Sequence, residues 1–408
     1  MATYRNTRLA ALSGLLVLAL AAALLVPAAH AGPQPKPPAP PPQVQYTIVW
    51  IDSVSERDYT RAFGVNSNGA VVGSSKLANG FDAAFLSYVN RSGQRVTVDL
   101  NKLNDPTGEL TKWRLTGAVD INDSFQIAGT GYYQVNQEVT RQSAYRLSLQ
   151  LAEDGYLAED EQGNLIVEEL LYLGTLPGSI WESATGINKW GDVCGDWATE
   201  GNSHHGFLWT EEMGMQDIGN LAGAWQIFTT AINDSAQITG YADVPKGWHA
   251  IRYTPGKGIQ DLGFLAKGRG GYEESWGNGI DNSGAVVGKS SAGSKGTNTV
   301  YRAFRYTDTT GMVDLGTLGG QNSSAAACSS LGDIVGTAQK ADGTEVLFLL
   351  SSGATRMAQI VVGGVPVPSS YVPLDINDER LICGARFIWD NALQRYKAYG
   401  FLLIPSPQ

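Results

Sequence analysis

The segment Ile280-Asp281-Asn282-Ser283-Gly284-Ala285-Val286-Val287-Gly288 decides the fold. An apolar residue closes one strand, and Asp and Asn then turn the chain because they tolerate left-handed dihedrals and hydrogen-bond their own backbone. Gly284 takes the bulge position of the turn, and Ala285-Val286-Val287-Gly288 reads as the next strand. Consecutive apolar residues there imply a strand covered on both faces.

The same pattern runs through the rest of the chain. It recurs as Val65-Asn66 to Gly73, Ile121-Asn122 to Gly129, Ile187-Asn188 to Gly195 and Ile232-Asn233 to Gly240. After the founding copy it returns as Cys328-Ser329 to Gly336 and Ile376-Asn377 to Gly384. In all seven copies the Asn-type residue stands seven positions before the Gly, and the Gly-to-Gly steps are 56, 66, 45, 48, 48 and 48. A unit of about 52 residues is the length of a four-stranded propeller blade. Third strands read as Phe207-Leu208-Trp209, Phe304-Arg305-Tyr306 or Phe401-Leu402-Leu403, and fourth strands as Ile259-Gln260-Asp261-Leu262-Gly263 or Met312-Val313-Asp314-Leu315-Gly316.

The two ends complement each other. Tyr46 to Asp52 looks like a fourth strand that arrives before any first strand, whereas the C-terminus stops on a third strand, Tyr399 to Ile404. Pairing the two leaves no long open edge. The expectation is an all-β, seven-bladed β-propeller of four-stranded blades, closed by the N-terminal strand completing the last blade. A linear solenoid, another blade number and two separate β domains are the rivals.

These residues resemble the extracellular HAF-repeat family of secreted bacterial proteins. The carriers are Asp314-Leu315-Gly316-Thr317-Leu318-Gly319-Gly320, Ala231-Ile232-Asn233-Asp234 and His205-Gly206-Phe207-Leu208-Trp209. The resemblance covers essentially residues 44–408 and departs where Asn101, Tyr172 or Ser329 replaces the expected residue. It implies an exported propeller-like protein and brings no activity with it.

Upstream of the repeats, Arg5 and Arg8 precede an apolar run from Leu15 to Val26, then Pro27 and Ala29-His30-Ala31. This reads as a signal peptide over residues 1–31, with an uncleaved anchor as the rival. Residues 32–43, with seven prolines, read as an extended polyproline linker, and 44–408 as the propeller. The expected location is secreted or periplasmic, with no membrane contact after cleavage.

Composition sets the limits on function. A formal charge of −10 argues against a nucleic-acid partner. Three Cys exclude a disulfide framework, and no metal site or cofactor is expected from four His. Cys194 and Cys383 hold the same second-strand slot and Cys328 replaces a first-strand Ile, so all three read as buried small hydrophobes without a bridge between Cys194 and Cys383.

The loops entering each first strand carry aromatics: Tyr59, Trp113, Trp181, Trp225, Tyr272 or Trp276, and Tyr371. With Arg61 and Arg114 beside them, they form the expected ligand-binding set for a saccharide or cell-surface partner at the channel mouth, with packing between blades as the rival role. The Asn-Asp turns belong to the opposite face. Glu182 and Glu274 are weak catalytic candidates if they face each other across the channel, and His204, near Asp196 and Glu200, is another. His205 and His249 follow the repeat register and read as structural. The acidic 153–169 segment reads as a solvated hairpin whose spacing fits no calcium loop. The expectation is therefore a binding or interaction module leaning away from catalysis, with a carbohydrate-active enzyme (glycoside hydrolase or polysaccharide lyase) or a structural scaffold as alternatives.

Overall fold

Strand Ser275–Ile280 ends where the deciding segment begins, and strand Val286–Lys295 carries on from it. Between them the Asp281 carboxylate accepts the backbone N–H groups of Ser283 and Ala285, both at 2.9 Å. Asn66, Asn122, Asn188, Asn233 and Asn377 do the same for their own turns through Oδ1. The turn needs one left-handed residue. Gly69, Gly191, Gly284 and Gly332 supply it in four repeats, and Phe125, Ala236 and Arg380 accept φ between 53° and 62° in the other three.

A computed structural model describes residues 40–407 except 56, 58, 137, 138 and 202. The signal-peptide reading and most of the proline linker fall outside the described residues. Among those described, no helix is long and apolar enough to cross a membrane.

The architecture is all-β and propeller-like. Five antiparallel four-stranded sheets follow one another. The first is Thr60–Val65, Val71–Lys76, Asp82–Val89 and Arg95–Asp99. The others span 113–172, 179–217, 227–261 and 275–314. The last two repeats differ from the expected separate blades, because they share one nine-stranded sheet. The N-terminal strand Gln43–Trp50 joins them. Its first half pairs in parallel with Ala358–Val362, from Gln43 opposite Gln359 to Tyr46 opposite Val362. Its second half pairs antiparallel with Arg395–Pro405, placing Ile48 opposite Leu403 and Val49 opposite Leu402. A strand that begins three residues before the expected Tyr46 is long enough to satisfy two neighbours.

The glycine that ends each repeat pattern has a steric cause. A Cβ on Gly73, Gly195, Gly240, Gly288, Gly336 or Gly384 would stand 1.8–2.2 Å from a first-strand carbonyl oxygen, and on Gly129 at 2.4 Å. Beneath six of these glycines lies a fully buried third-strand ring: Phe85, Tyr145, Phe207, Phe304, Phe348 or Phe401. Backbone and ring occupy the space, so only Gly lets the first two strands and the ring close together. The repeat histidine is also accounted for: His249 Nδ1 sits 2.8 Å from Asp261, tying third strand to fourth. Cys194, Cys328 and Cys383 are free thiols.

All seven first strands break register at one shared point of the repeat, and those of the second, third and sixth repeats slip at a second point as well. The slips lie between Ala62 and Gly64, Ala118 and Asp120, Ala184 and Gly186, Thr229 and Ala231, Gly277 and Gly279, Ala325 and Ala327, and Pro373 and Asp375. Each bulge turns two successive residues toward the same side, which a regular strand cannot do.

Candidate functional site

Those bulges line a narrow cavity of about 150 Å³, walled by Phe63, Val119, Thr185, Thr230, Asn278 and Leu374 at the bulged positions and by Asp120, Ala231, Gly279, Ala327 and Asp375 one residue on. A wider depression of about 390 Å³ lies over the Asn turns, sharing Ile232, Ile280, Cys328 and Asp375 with the narrow one. Its rim is a relay of amides. Asn66 donates Nδ2 to the carbonyl of Asn122 (3.2 Å), Asn122 to Asn188 (3.0 Å), Asn188 to Asn233 (3.2 Å) and Asn233 to Asp281 (2.9 Å). Asp281 has no N–H₂, so the Asn282 backbone N–H makes the next link, to the Ser330 carbonyl. Asn377 donates to the Asn66 carbonyl at 2.8 Å.

Two carboxylates interrupt a layer otherwise made of small residues. The residue before the Ile-type position is Gly64, Gly186, Ala231, Gly279 or Ala327 in five repeats, and Asp120 or Asp375 in two. Asp375 accepts from the N–H groups of Ile376 (2.8 Å) and of Val65 in the first repeat (2.9 Å). Asp120 accepts from Ile121 (2.8 Å) and from Ile187 in the third repeat (3.0 Å). Between their repeats stands Gly64, where a Cβ would lie 2.8 Å from the Asp120 Cα and 3.0 Å from its Oδ1. The missing side chain leaves room for the Asp120 carboxylate.

Protein surrounds both carboxyls, yet each keeps partial solvent access along the cavity. Burial pushes Asp120 up to about 7, the negative charge of Asp375 adds to the rise, and the two amide donors work against it. Burial pushes Asp375 up to about 6 against its own two donors. Desolvation outweighs hydrogen bonding in both, so each carboxyl holds its proton to higher pH than an exposed carboxylate does. No Lys or Arg lines the narrow cavity.

The residues expected from sequence lie elsewhere. Glu182 is fully buried, 2.6 Å from Arg141 and hydrogen-bonded by Ser179. Glu274 takes the Tyr301 hydroxyl. Neither lines the narrow cavity, and they have separate partners rather than facing each other across it. His204 lies in strand His204–Thr210, between Trp181 (5.2 Å) and Phe228 (4.7 Å), and burial lowers its pKa. Trp113, 8% exposed, packs against Tyr133, Tyr145 and Tyr172. Arg114 lies over Phe81 and Tyr132. Trp276 carries Lys289 above its ring at 4.4 Å, and Tyr371 packs on Trp50 and Phe401 beneath Arg386. Tyr59 bridges to Ala398 under Arg61, and Trp225 stays 68% exposed. Asp120 and Asp375 were missed by sequence reasoning. The available signal was their departure from a Gly/Ala slot once the seven repeats are aligned on Asn and Gly.

No protein-family model and no curated protein matches this chain. Solved structures do. A puromycin hydrolase shares 11% identity at a TM-score of 0.45, over 81% of this chain and 48% of its own. The acylaminoacyl peptidase of Pyrococcus horikoshii shares 10% at 0.45, over 86% and 52%. A gluconolactonase from Xanthomonas campestris shares 10% at 0.35, over 90% and 96%. The chain thus spans about half the length of the puromycin hydrolase and of the acylaminoacyl peptidase. All three neighbours bear the names of enzymes, which stands against the expectation of a binding module leaning away from catalysis.

Proposed function

We propose that this chain is an exported hydrolase in which Asp120 and Asp375 form a general acid–base pair. One observation carries the reading: two carboxyls, both raised toward neutrality, face one cavity from either side of Gly64. Strongly perturbed acids in a concave site are the usual mark of proton-transfer chemistry. The ionised member takes a proton from water as its oxygen attacks the substrate carbon. The protonated member gives its proton to the leaving oxygen, so a C–O bond breaks as a new one forms. The pair ends with one proton, its roles exchanged. A cavity of about 150 Å³ admits a small substrate or the end of a longer one.

The leader over residues 1–31 supports export, and the repeat motifs support membership of the HAF-repeat group. We read the sheets as seven blades in a closed ring, supported by the Asn377–Asn66 link and the pairing of the chain's first and last strands.

Purified protein assayed against chromogenic esters, lactones and glycosides tests the function. Wild-type turnover is expected, with a fall of about 10²–10⁴ in Asp120→Asn and Asp375→Asn. Circular dichroism must show both variants folded. Absence of turnover across the panel, or folded variants as active as wild type, overturns the proposal.

A further inference from the structure

The side-chain protons around the narrow cavity are largely spent on the protein itself. Thr230 gives its hydroxyl proton to the carbonyls of Gly277 (2.9 Å) and Thr239 (3.2 Å). Thr229 gives its own to Asp196 (2.9 Å), so Thr185, 2.8 Å from Thr229, supplies the proton of the bond between them. Asn278 turns its N–H₂ to the Ala325 carbonyl at 2.8 Å, and its Oδ1 accepts no hydrogen bond among the described residues. Thr185, Thr230 and Asn278 all line the cavity, and what they have left to offer there is acceptor oxygen.

These three stand at the bulged positions of the third, fourth and fifth repeats. The bulged positions of the seventh, first and second are Leu374, Phe63 and Val119, all apolar, and Asp375, Gly64 and Asp120 follow them. In the closed ring, the fourth and fifth repeats stand opposite the first. The cavity then has an acceptor wall and, across from it, an apolar wall that carries the acid–base pair. No Lys or Arg lines it. The wider depression that shares its walls adds the carboxylates Asp123, Asp234 and Asp378 against one ammonium, that of Lys189, itself 3.1 Å from Asp234. Such a lining repels anions and draws cations.

We infer that the substrate of this site is a small ester bearing a primary ammonium group, whose N–H donors meet Asn278 Oδ1 and the Thr230 hydroxyl oxygen while its hydrolysable bond lies against Asp120 and Asp375. The inference rests on the acid–base reading for the bond that is broken, and on the acceptor wall for the ammonium. An ammonium has three donors and no acceptor, which complements that wall. Its aliphatic link has Phe63, Val119 and Leu374 to lie against. An inorganic cation fits less well, since no group of three His, Cys, Asp or Glu that could hold a metal exists among the described residues. Asn278 becomes the residue that sets specificity, because its oxygen alone among the three has no protein partner.

The test is calorimetric titration of the purified protein at neutral pH with butylammonium, 1-butanol and butyrate, which share an aliphatic chain and differ in their head group. Butylammonium is expected to bind saturably and about tenfold more tightly than butanol, with butyrate weaker than either. Asn278→Leu removes the acceptor and is expected to erase that preference with an unchanged circular dichroism spectrum. Asn278→Asp keeps an oxygen there and adds charge, so it is expected to keep or strengthen the preference, and it reads the site even where the Leu variant does not fold. Equal binding of butylammonium and butanol, or a preference that survives in folded Asn278→Leu or is lost in folded Asn278→Asp, overturns the ammonium site. Saturable binding of calcium with none of butylammonium overturns it too. A wild type that prefers butylammonium yet turns over no ester strikes the acid–base reading and leaves the ammonium site standing, and turnover without the preference does the reverse.

Discussion

Asp375 accepts a hydrogen bond from the backbone N–H of Val65 at 2.9 Å, although 310 residues separate them in the chain. The same carboxyl faces the cavity that holds Asp120. One side chain thus joins the last repeat to the first and takes part in the proposed chemistry, and its substitution should register in both stability and activity.

Replacing Asp375 by Asn sets an N–H₂ or a single oxygen against two amide donors. The expected cost is about 1–3 kcal/mol, the usual loss for an unsatisfied buried partner. Urea denaturation of wild type and Asp375→Asn measures it, and equal midpoints with equal slopes would show that the bonds contribute nothing.

Stability should fall as pH rises through neutrality. Asp120 and Asp196 are raised to about 7 and Asp375 to about 6, chiefly by burial. Their folded pKa values exceed the unfolded carboxylate value, so the folded state binds more protons between about pH 4 and pH 7. The stabilisation these groups give is complete at the acid end of that window and lost as pH climbs to about 7. Thermal midpoints at pH 5, 6, 7 and 8 should descend and then level. Asp196, which accepts the Thr229 N–H at 2.8 Å, contributes part of the slope, and Asp196→Asn should flatten it.

Gly288→Ala should be among the most damaging single changes available. Its Cβ would lie 1.8 Å from the Trp276 carbonyl oxygen, so the first two strands of that repeat must part. A loss of about 3 kcal/mol or more is expected, in line with overpacking beside a rigid backbone. Gly93→Ala is a useful comparison, since nothing stands within 4 Å there and only its φ of 78° opposes the change.

Ala236→Gly should move stability the other way. Ala236 holds φ at 53° where four sister repeats use Gly. Relief of left-handed strain, about 1–2 kcal/mol, exceeds the entropic cost of Gly, about 0.5–1 kcal/mol. A rise in thermal midpoint of a few degrees is the expected result, and a fall would mean that the Ala236 methyl packs productively.

Cys194 and Cys383 should not react with a thiol reagent in the native state. Both are fully buried and burial raises their pKa values, that of Cys194 to about 12. Release of the reagent's chromophore only after denaturant addition is expected.

The repeat was legible because its cause is local. An Asn or Asp that caps its own turn and a Gly that cannot carry a Cβ leave the same letters seven positions apart, wherever the repeat sits. The site was less legible for a reason equally physical. Asp120 and Asp375 stand in strands whose alternation is broken by a bulge, so counting by twos does not say which residues face the cavity. Trp113 and Glu182 show the converse. Residue type suggested a mouth, while later strands of its own sheet supplied Tyr133 and Tyr172 for Trp113, and the preceding sheet supplied Arg141 for Glu182, burying both.

Sequence by itself determined the all-β class, the seven copies of the unit, the turn chemistry and the free thiols, since each depends on residues close together in the chain. Tertiary structure alone decided that Gln43–Trp50 pairs on both sides and that two acids meet around Gly64. Those are relations between segments hundreds of residues apart, and burial, which sets their energies, exists only once the sheets have packed.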